Sequence, residues 1–231
     1  MALYAIGDLH LSHCADKPMD IFGGNWVNYM DKLTQGFSVL REDDMCILCG
    51  DTSWGSSLEE SLEDFRYIDA LPGRKIIIKG NHDYWWSTLT KINDFFEANN
   101  ITTIDILFNN AFFYEGVAIC GTRNWLSDDK LTAEQNAKIT AREITRLQTS
   151  LQASEDASVR LCFFHYPPRF GTIVCHEIIS LMNEYGVKHC RYGHLHSEGH
   201  RLAVRGIIEG IEYDIISADY INFTPQRVIY E

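Results

Sequence analysis

Apolar residues in this chain fall into short continuous runs, separated by longer stretches where they recur every three or four positions. LYAIG (3–7), MCILCG (45–50) and Lys75–Lys79 are the first runs; VRLCFF (159–164) and VKHCRYG (187–193) are later ones. Such runs predict strands buried on both faces. Between them, SSLEESLEDFRYIDAL (56–71) places Leu58, Leu62, Phe65 and Ile68 at helical spacing, with acids in its early turns where a helix N-terminus favours them. Residues 25–40, 86–98 and 174–185 read as further helices. The longest helical stretch, 132–153, opens on a Thr-x-x-Gln capping box at Thr132 and Gln135. TTIDILFNN, AFFYEG and VAICG read as hairpin pieces broken at Asn109-Asn110 and Gly116, and residues 200–231 alternate as a β meander would.

Strand and helix alternation followed by hairpins predicts an α/β protein, in the form of two packed sheets with helices on their outer faces. No repeat, low-complexity tract or linker divides the chain, so residues 1–231 are expected to form one domain. The 122–158 segment is a candidate cap or insertion beside a site. No apolar run reaches the ~18 residues that suggest a transmembrane helix. The first residues lack a basic leader region and meet Asp8 at once, which reads as a first strand. Seven cysteines, at 14, 46, 49, 120, 162, 175 and 190, are odd in number and scattered, and most lie in apolar runs. They read as buried free thiols, and a reducing cytoplasm fits them best. The net charge of −12 opposes loose binding to long nucleic acid or an anionic membrane. A nucleotide-like substrate stays compatible if bound cations reverse the local sign.

Each apolar run hands over to polar groups that can carry chemistry. LYAIG leads to Asp8-Leu9-His10, MCILCG to Asp51, and the 75–79 run to Gly80-Asn81-His82-Asp83. VRLCFF leads to His165, and HCRYG to His194-Leu195-His196. Strand ends of an α/β sheet share one edge, where ligands bind. Imidazole and carboxylate together suit Zn, Mn or Fe, and so many groups suit two ions better than one. The glycines before Asp8, Asp51, Asn81 and His194 fit tight turns and close backbone approach.

D-x-H, G-D, G-N-H-[DE], H and G-H-x-H, in this order, resemble the calcineurin-like metallophosphoesterase superfamily. Here they are Asp8/His10, Gly50-Asp51, Gly80-Asn81-His82-Asp83, His165 and Gly193-His194-Leu195-His196. The resemblance implies a four-layer αββα sandwich of two mixed sheets flanked by helices. It implies one ion held by Asp8, His10, Asp51 and His196, and a second held by Asp51, Asn81, His165 and His194, with Asp51 as the bridge. Manganese leads, with iron, zinc and magnesium open. A bridging water or hydroxide would attack a phosphomonoester or phosphodiester, and His82 would assist the leaving oxygen. Asp83 is grouped with these catalytic residues as the orienter of its loop, or else as a helix N-cap. The Val-Asp-Arg-Gly continuation of the protein phosphatases is absent: Thr52-Ser53-Trp54-Gly55 stands there, leaving the partner of His82 open. Arg123 and Arg169 are candidate phosphate contacts. Trp54, Trp85, Trp86 and Trp125 could wall a pocket, but helix packing is the preferred reading. His13, His176, His189 and His200 fit no motif and read as structural or surface groups. A small phosphorylated or nucleotide-like substrate is expected, with a nuclease or a non-catalytic binding scaffold as alternatives.

Overall fold

Val117–Thr122 (β6) and Val159–Phe164 (β7) explain the layering of the molecule. Successive side chains along a strand point to opposite faces. Val117, Ile119, Leu161 and Phe163 join one buried cluster, while Ala118, Cys120, Cys162 and Phe164 join another. Each strand therefore needs a packed layer on both sides, and its sequence is apolar throughout. The computed structural model describes residues 1–13 and 15–230, so Cys14 lies outside the described residues.

One sheet contains Leu3–Ile6 (β1), Met45–Leu48 (β2), Arg74–Ile77 (β3), Ile104–Ile106 (β4) and Gln226–Arg227 (β13), in the order β13-β1-β2-β3-β4. Its first four strands run parallel. The other contains Phe112–Tyr114 (β5), β6, β7, His189–Tyr192 (β10), Gly206–Ile208 (β11) and Ile211–Ile215 (β12), in the order β11-β12-β10-β7-β6-β5. Here β6, β7, β10 and β12 are parallel and the edges antiparallel. Tyr29–Phe37 (α1), Leu62–Ala70 (α2) and Leu89–Ala98 (α3) bury Leu33, Phe65, Ile68 and Ile92 in the cluster of the first sheet. Ala133–Gln152 (α4) and His176–Glu184 (α5) bury Leu147, Leu151 and Ile178 against the second. The result is the αββα sandwich.

Some local expectations change. β4 pairs with β3 in the first sheet, so Asn109-Asn110 is not a hairpin turn; there the chain crosses to β5 in the second sheet. The hairpin between β5 and β6 closes at Glu115-Gly116, both at positive φ. The 200–231 stretch is divided between sheets: β12 lies beside β10, while β13 returns to β1. Alternation reports which face a side chain takes, not which strand is its neighbour. The 56–71 helix begins only at Leu62, after turns. The capping box at Thr132 and Gln135 forms as expected, and α4 packs as a flanking layer against β6.

At one end the two sheets join. Gly7 donates its N–H to the Ile216 carbonyl at 2.7 Å, and Ala218 donates to the Gly7 carbonyl at 3.0 Å. The loop carrying Ala218 is seated on α1, where Gly36 faces the backbone of Phe223 and Thr224. A Cβ on Gly36 would lie 2.0 Å from the Phe223 carbonyl oxygen. Alanine is intrinsically favoured over glycine in a helix by about 1 kcal/mol. Overlap with backbone outweighs that, since overpacking costs roughly 1–3 kcal/mol or more. Gly36→Ala is therefore expected to destabilise the fold by up to about 2 kcal/mol in chemical denaturation. A midpoint at or above the parent value would show that the contact relaxes freely.

Candidate metal centre

The strand ends turn sharply into the site. Asp8, His10, Asp51 and His194 all have left-handed backbone, with φ of 62°, 47°, 51° and 74°. Each such non-glycine residue costs of order 1 kcal/mol or more, and such strain persists where surrounding structure enforces it. Gly80 shows how tight the enclosure is: a Cβ there would stand 2.1 Å from both the amide nitrogen and Oδ1 of Asp51.

The structure brings Asp8, His10, Asp51, Asn81, His165, His194 and His196 to this shared edge. Ligand atoms of Asp8, His10 and His196 all lie within 4.8 Å of one another, and so do those of Asp51, His165 and His194. His10 Nε2 and His196 Nε2 face each other at 3.4 Å. His165 Nε2 lies 2.6 Å from Asn81 Oδ1 and 3.2 Å from His194 Nδ1. Asp51 spans both groups, with Oδ2 3.7 Å from His10 Nε2 and Oδ1 3.5 Å from His165 Nε2. Lone pairs converging on so small a space need a proton or a cation between them. The mixed nitrogen and oxygen donors suit a borderline divalent ion.

Electrostatics agree with that fit. Burial lowers His10 well below the usual histidine range, and brings His165 to about 4 and His194 to about 3. All three are neutral near pH 7, the form that ligates a metal. His196 behaves oppositely. Burial opposes its charge, but Asp8 and Asp219 outweigh this and hold it up to about 10. Burial also pushes Asp8 up, yet His196 and the other histidines win and lower it. Burial, Asp83 and Asp8 raise Asp51 well above the carboxylate range.

Other residues hold these groups in place. Asp219, buried, accepts from His196 Nδ1 at 2.8 Å and lies 3.3 Å from His200 Nε2, leaving His196 Nε2 free for the site. Reading the polar residues after the IEYDIIS run would have found Asp219; its other oxygen accepts from the Ser197 N–H at 3.3 Å, beside His200, read as structural. His165 Nδ1 is fixed by the Cys49 carbonyl at 3.0 Å. Asp83 accepts backbone N–H groups from Gly80, Asp51 and Thr52 at 2.6, 3.0 and 2.8 Å, and the Trp85 indole at 3.0 Å. It clamps two loops together. The helix-cap reading fails because α3 is capped by Thr88.

His82 stands outside the donor groups, half-buried, with its ring 5.9 Å from that of His10. Its Nδ1 meets the Tyr84 hydroxyl at 3.1 Å, which supplies the partner the sequence left open. Trp54 stacks on His10 at 5.0 Å and tilts against His82 at 4.5 Å, so it walls the site. Trp85 packs on Phe65 in the core, Trp86 against Trp85 and Phe108, and Trp125 against Tyr166. Arg123 lies 3.5 Å from the buried Glu143 carboxylate, which Arg146 also engages. Lys79, next to Gly80, lines a small cavity together with Arg123, Glu143 and Arg146. Arg169 is not brought to the site. It is taken up by Glu209, in the turn before β12, and its guanidinium lies 5.8 Å from the Tyr213 ring centroid.

Residues 1–198 match the family model of calcineurin-like phosphoesterases. This chain belongs to that family. Calcineurin-like phosphoesterases are metal-dependent hydrolases, and the family's two divalent ions have their His and Asp groups in this chain. Among solved structures, phosphopantetheinyl hydrolase from Mycobacterium tuberculosis matches with 13% identity and a TM-score of 0.57, over 100% of this chain and 96% of that one. TT1561 of Thermus thermophilus matches with 10% identity and a TM-score of 0.59, over 98% and 97%. At such identities the likeness is one of fold. No curated protein matches the chain. In this calcineurin-like phosphoesterase no helix among the described residues is long and apolar enough to cross a membrane. The six described cysteines are free thiols.

Two measurements follow from the electrostatics. His196 must lose its proton to ligate, so metal binding by the stripped protein should release protons at about pH 7.5. Apparent affinity should rise with pH by up to about tenfold per unit until about pH 10. Because the folded-state pKa is raised, the protonated ring stabilises the metal-free fold fully below pH 6.5 and ceases to as pH rises through about 10. Calorimetry in buffers of different ionisation enthalpy counts the protons; none released would refute a charged His196. Asp219→Asn should weaken manganese binding about 10–100-fold. Unchanged affinity would show that Asp219 does not support His196 as a ligand.

Proposed function

We propose that the chain is a two-metal phosphoesterase that hydrolyses a small phosphorylated substrate, a monoester or diester. The observation that supports this reading best is the pair of adjacent donor groups spanned by the two oxygens of Asp51. One ion would be held by Asp8, His10, Asp51 and His196, the other by Asp51, Asn81, His165 and His194, with manganese the leading choice. When bound, such ions neutralise phosphoryl oxygens and acidify an attacking water.

The remaining work belongs to the chain. Asp83 fixes the loops carrying Asp51 and Asn81, and Asp219 fixes the ring of His196. Burial lowers His82 below the ordinary histidine pKa, so it acts near pH 7 as a neutral imidazole. In the tautomer whose Nδ1 accepts from the Tyr84 hydroxyl, Nε2–H is left to donate to the leaving oxygen. Arg123 is retained as a candidate phosphate contact; Arg169 is given up, because Glu209 and Tyr213 occupy it. The absence of the protein-phosphatase continuation and the net charge of −12 favour a small substrate over phosphoproteins or long nucleic acid.

Stripped protein reloaded with manganese is expected to cleave p-nitrophenyl phosphate, bis-p-nitrophenyl phosphate or both, and Asp51→Asn should abolish this. Cleavage of neither by manganese-loaded protein would favour the binding scaffold. His82→Ala should lower kcat about 10²–10⁴-fold on an alkyl ester, with less effect on a p-nitrophenyl ester, whose leaving group needs little help. Its metal content should be unchanged. Loss of metal in this variant would make His82 a ligand and overturn its role.

A further inference from the structure

A pocket of about 280 Å³ opens beside the candidate metal centre. Met19, Phe22, Trp26 and Trp54 wall it. His10, His82 and His196 line it on the side shared with the donor groups. Whatever occupies it is therefore continuous with the position of the scissile phosphate, on the side where His82 stands.

The walls are aromatic and firmly backed. Trp26, only 4% exposed, is braced edge-on by Phe223 at 5.2 Å and Tyr29 at 5.7 Å. Trp54 is held by its stack on His10. Phe22 is different: it is 67% exposed and belongs to neither buried cluster. It lies in the one-turn 3₁₀ segment Met19–Phe22, just before Gly23 and Gly24, both at positive φ. Ile21, 74% exposed, and Val27, 46% exposed, lie close to it in sequence, so the pocket rim carries several exposed apolar side chains with no packing partner of their own.

Charge points the same way. Although the chain carries net charge −12, no carboxylate among the described residues lines this pocket. Lys17 Nζ lies 4.8 Å from the Trp54 ring centroid and 5.8 Å from that of Tyr84. The volume is close to the lower end of ligand pockets, about 300 Å³. The geometry points to a flat aromatic group as the leaving-group side of the substrate: an aryl or nucleoside ester whose ring lies among Phe22, Trp26 and Trp54. Water adds its oxygen to phosphorus, the P–O bond to the ring-bearing alcohol breaks, and that alcohol leaves with one proton. This inference rests on the phosphoesterase reading and names its substrate class.

The experiment is binding of adenosine 5′-monophosphate, phenyl phosphate and methyl phosphate to manganese-loaded protein, read by stopped-flow tryptophan fluorescence before turnover. Stacking predicts that the two aromatic phosphates bind roughly tenfold tighter than methyl phosphate. Phe22→Ser, at an exposed position that should not disturb folding, is expected to remove most of that advantage and leave methyl phosphate binding unchanged. Phe22→Tyr should restore it, and Trp54→Leu should remove it again. Adenosine monophosphate as the tightest of the three would assign the pocket to a nucleoside; phenyl phosphate as the tightest would assign it to a simple aryl group. Equal binding of all three, or an aromatic advantage unmoved by Phe22→Ser and Trp54→Leu, would overturn the pocket and spare the phosphoesterase reading. Binding of none would defeat both.

Discussion

Burial of two carboxylates against four imidazoles is the constraint around which the rest of the molecule is arranged. Asp8 and Asp51 are almost wholly removed from water, and their oxygens lie under 4 Å from histidine nitrogens. A charge so placed is costly unless an opposite charge meets it. In the metal-free protein the proton on His196 meets part of that need, shared between Asp8 and Asp219. A divalent cation meets it more fully, because it is drawn to the carboxylates and to the neutral histidine lone pairs together. The site is thus a place where positive charge is required, and the proton is its weaker occupant.

Such an arrangement opposes folding, and the scaffold supplies what offsets it. The left-handed turns at Asp8, His10, Asp51 and His194 are imposed by parallel strands that end together and by two sheets hydrogen-bonded at Gly7 and Ile216. Asp83 contributes most directly. Its carboxylate gathers amides from residues 51, 52 and 80, so the loop bearing Asp51 cannot move apart from the loop bearing Asn81. The inward side chains of β6 and β7, Val117, Ile119, Leu161 and Phe163, matter to chemistry for the same reason, since they fix the distance between the sheets whose ends carry the donors.

This logic explains what was legible in the sequence. Parallel strands share one edge, so Asp8, Asp51, Asn81, His165 and His194 could be expected together without knowing strand order. Neighbour choice was not legible: the crossing at Asn109-Asn110 and the division of 200–231 between sheets depend on pairing, which alternation does not encode. Asp219 was missed because it carries no motif, although it comes after an apolar strand like the others. Arg169 was misplaced because four residues after His165 lies in sequence near the site, while the short hairpin of Arg169–Phe170 and Ile173–Val174 turns toward Glu209 and Tyr213. Arg123 could be placed near the edge from sequence, but not its entanglement with Glu143.

The aromatic pocket and the acidic surface belong to one account of selectivity. A surface of net charge −12 weakens every phosphate at a distance, and more so a polyanion than a monoester. Only close to the histidines does the balance change, where the described lining lacks carboxylates and Lys17 stands beside the Trp54 ring. Affinity must then come from short-range contact, and stacking is a short-range force that salt screens little. Trp26 and Trp54 are preorganised by Phe223, Tyr29 and His10, so an incoming ring has little ordering cost to meet beyond that of Phe22. His82 lies against Trp54 itself. The surface that would recognise the leaving group is therefore the one that orients the hydrogen-bond donor to its oxygen, and recognition and departure become a single geometric requirement.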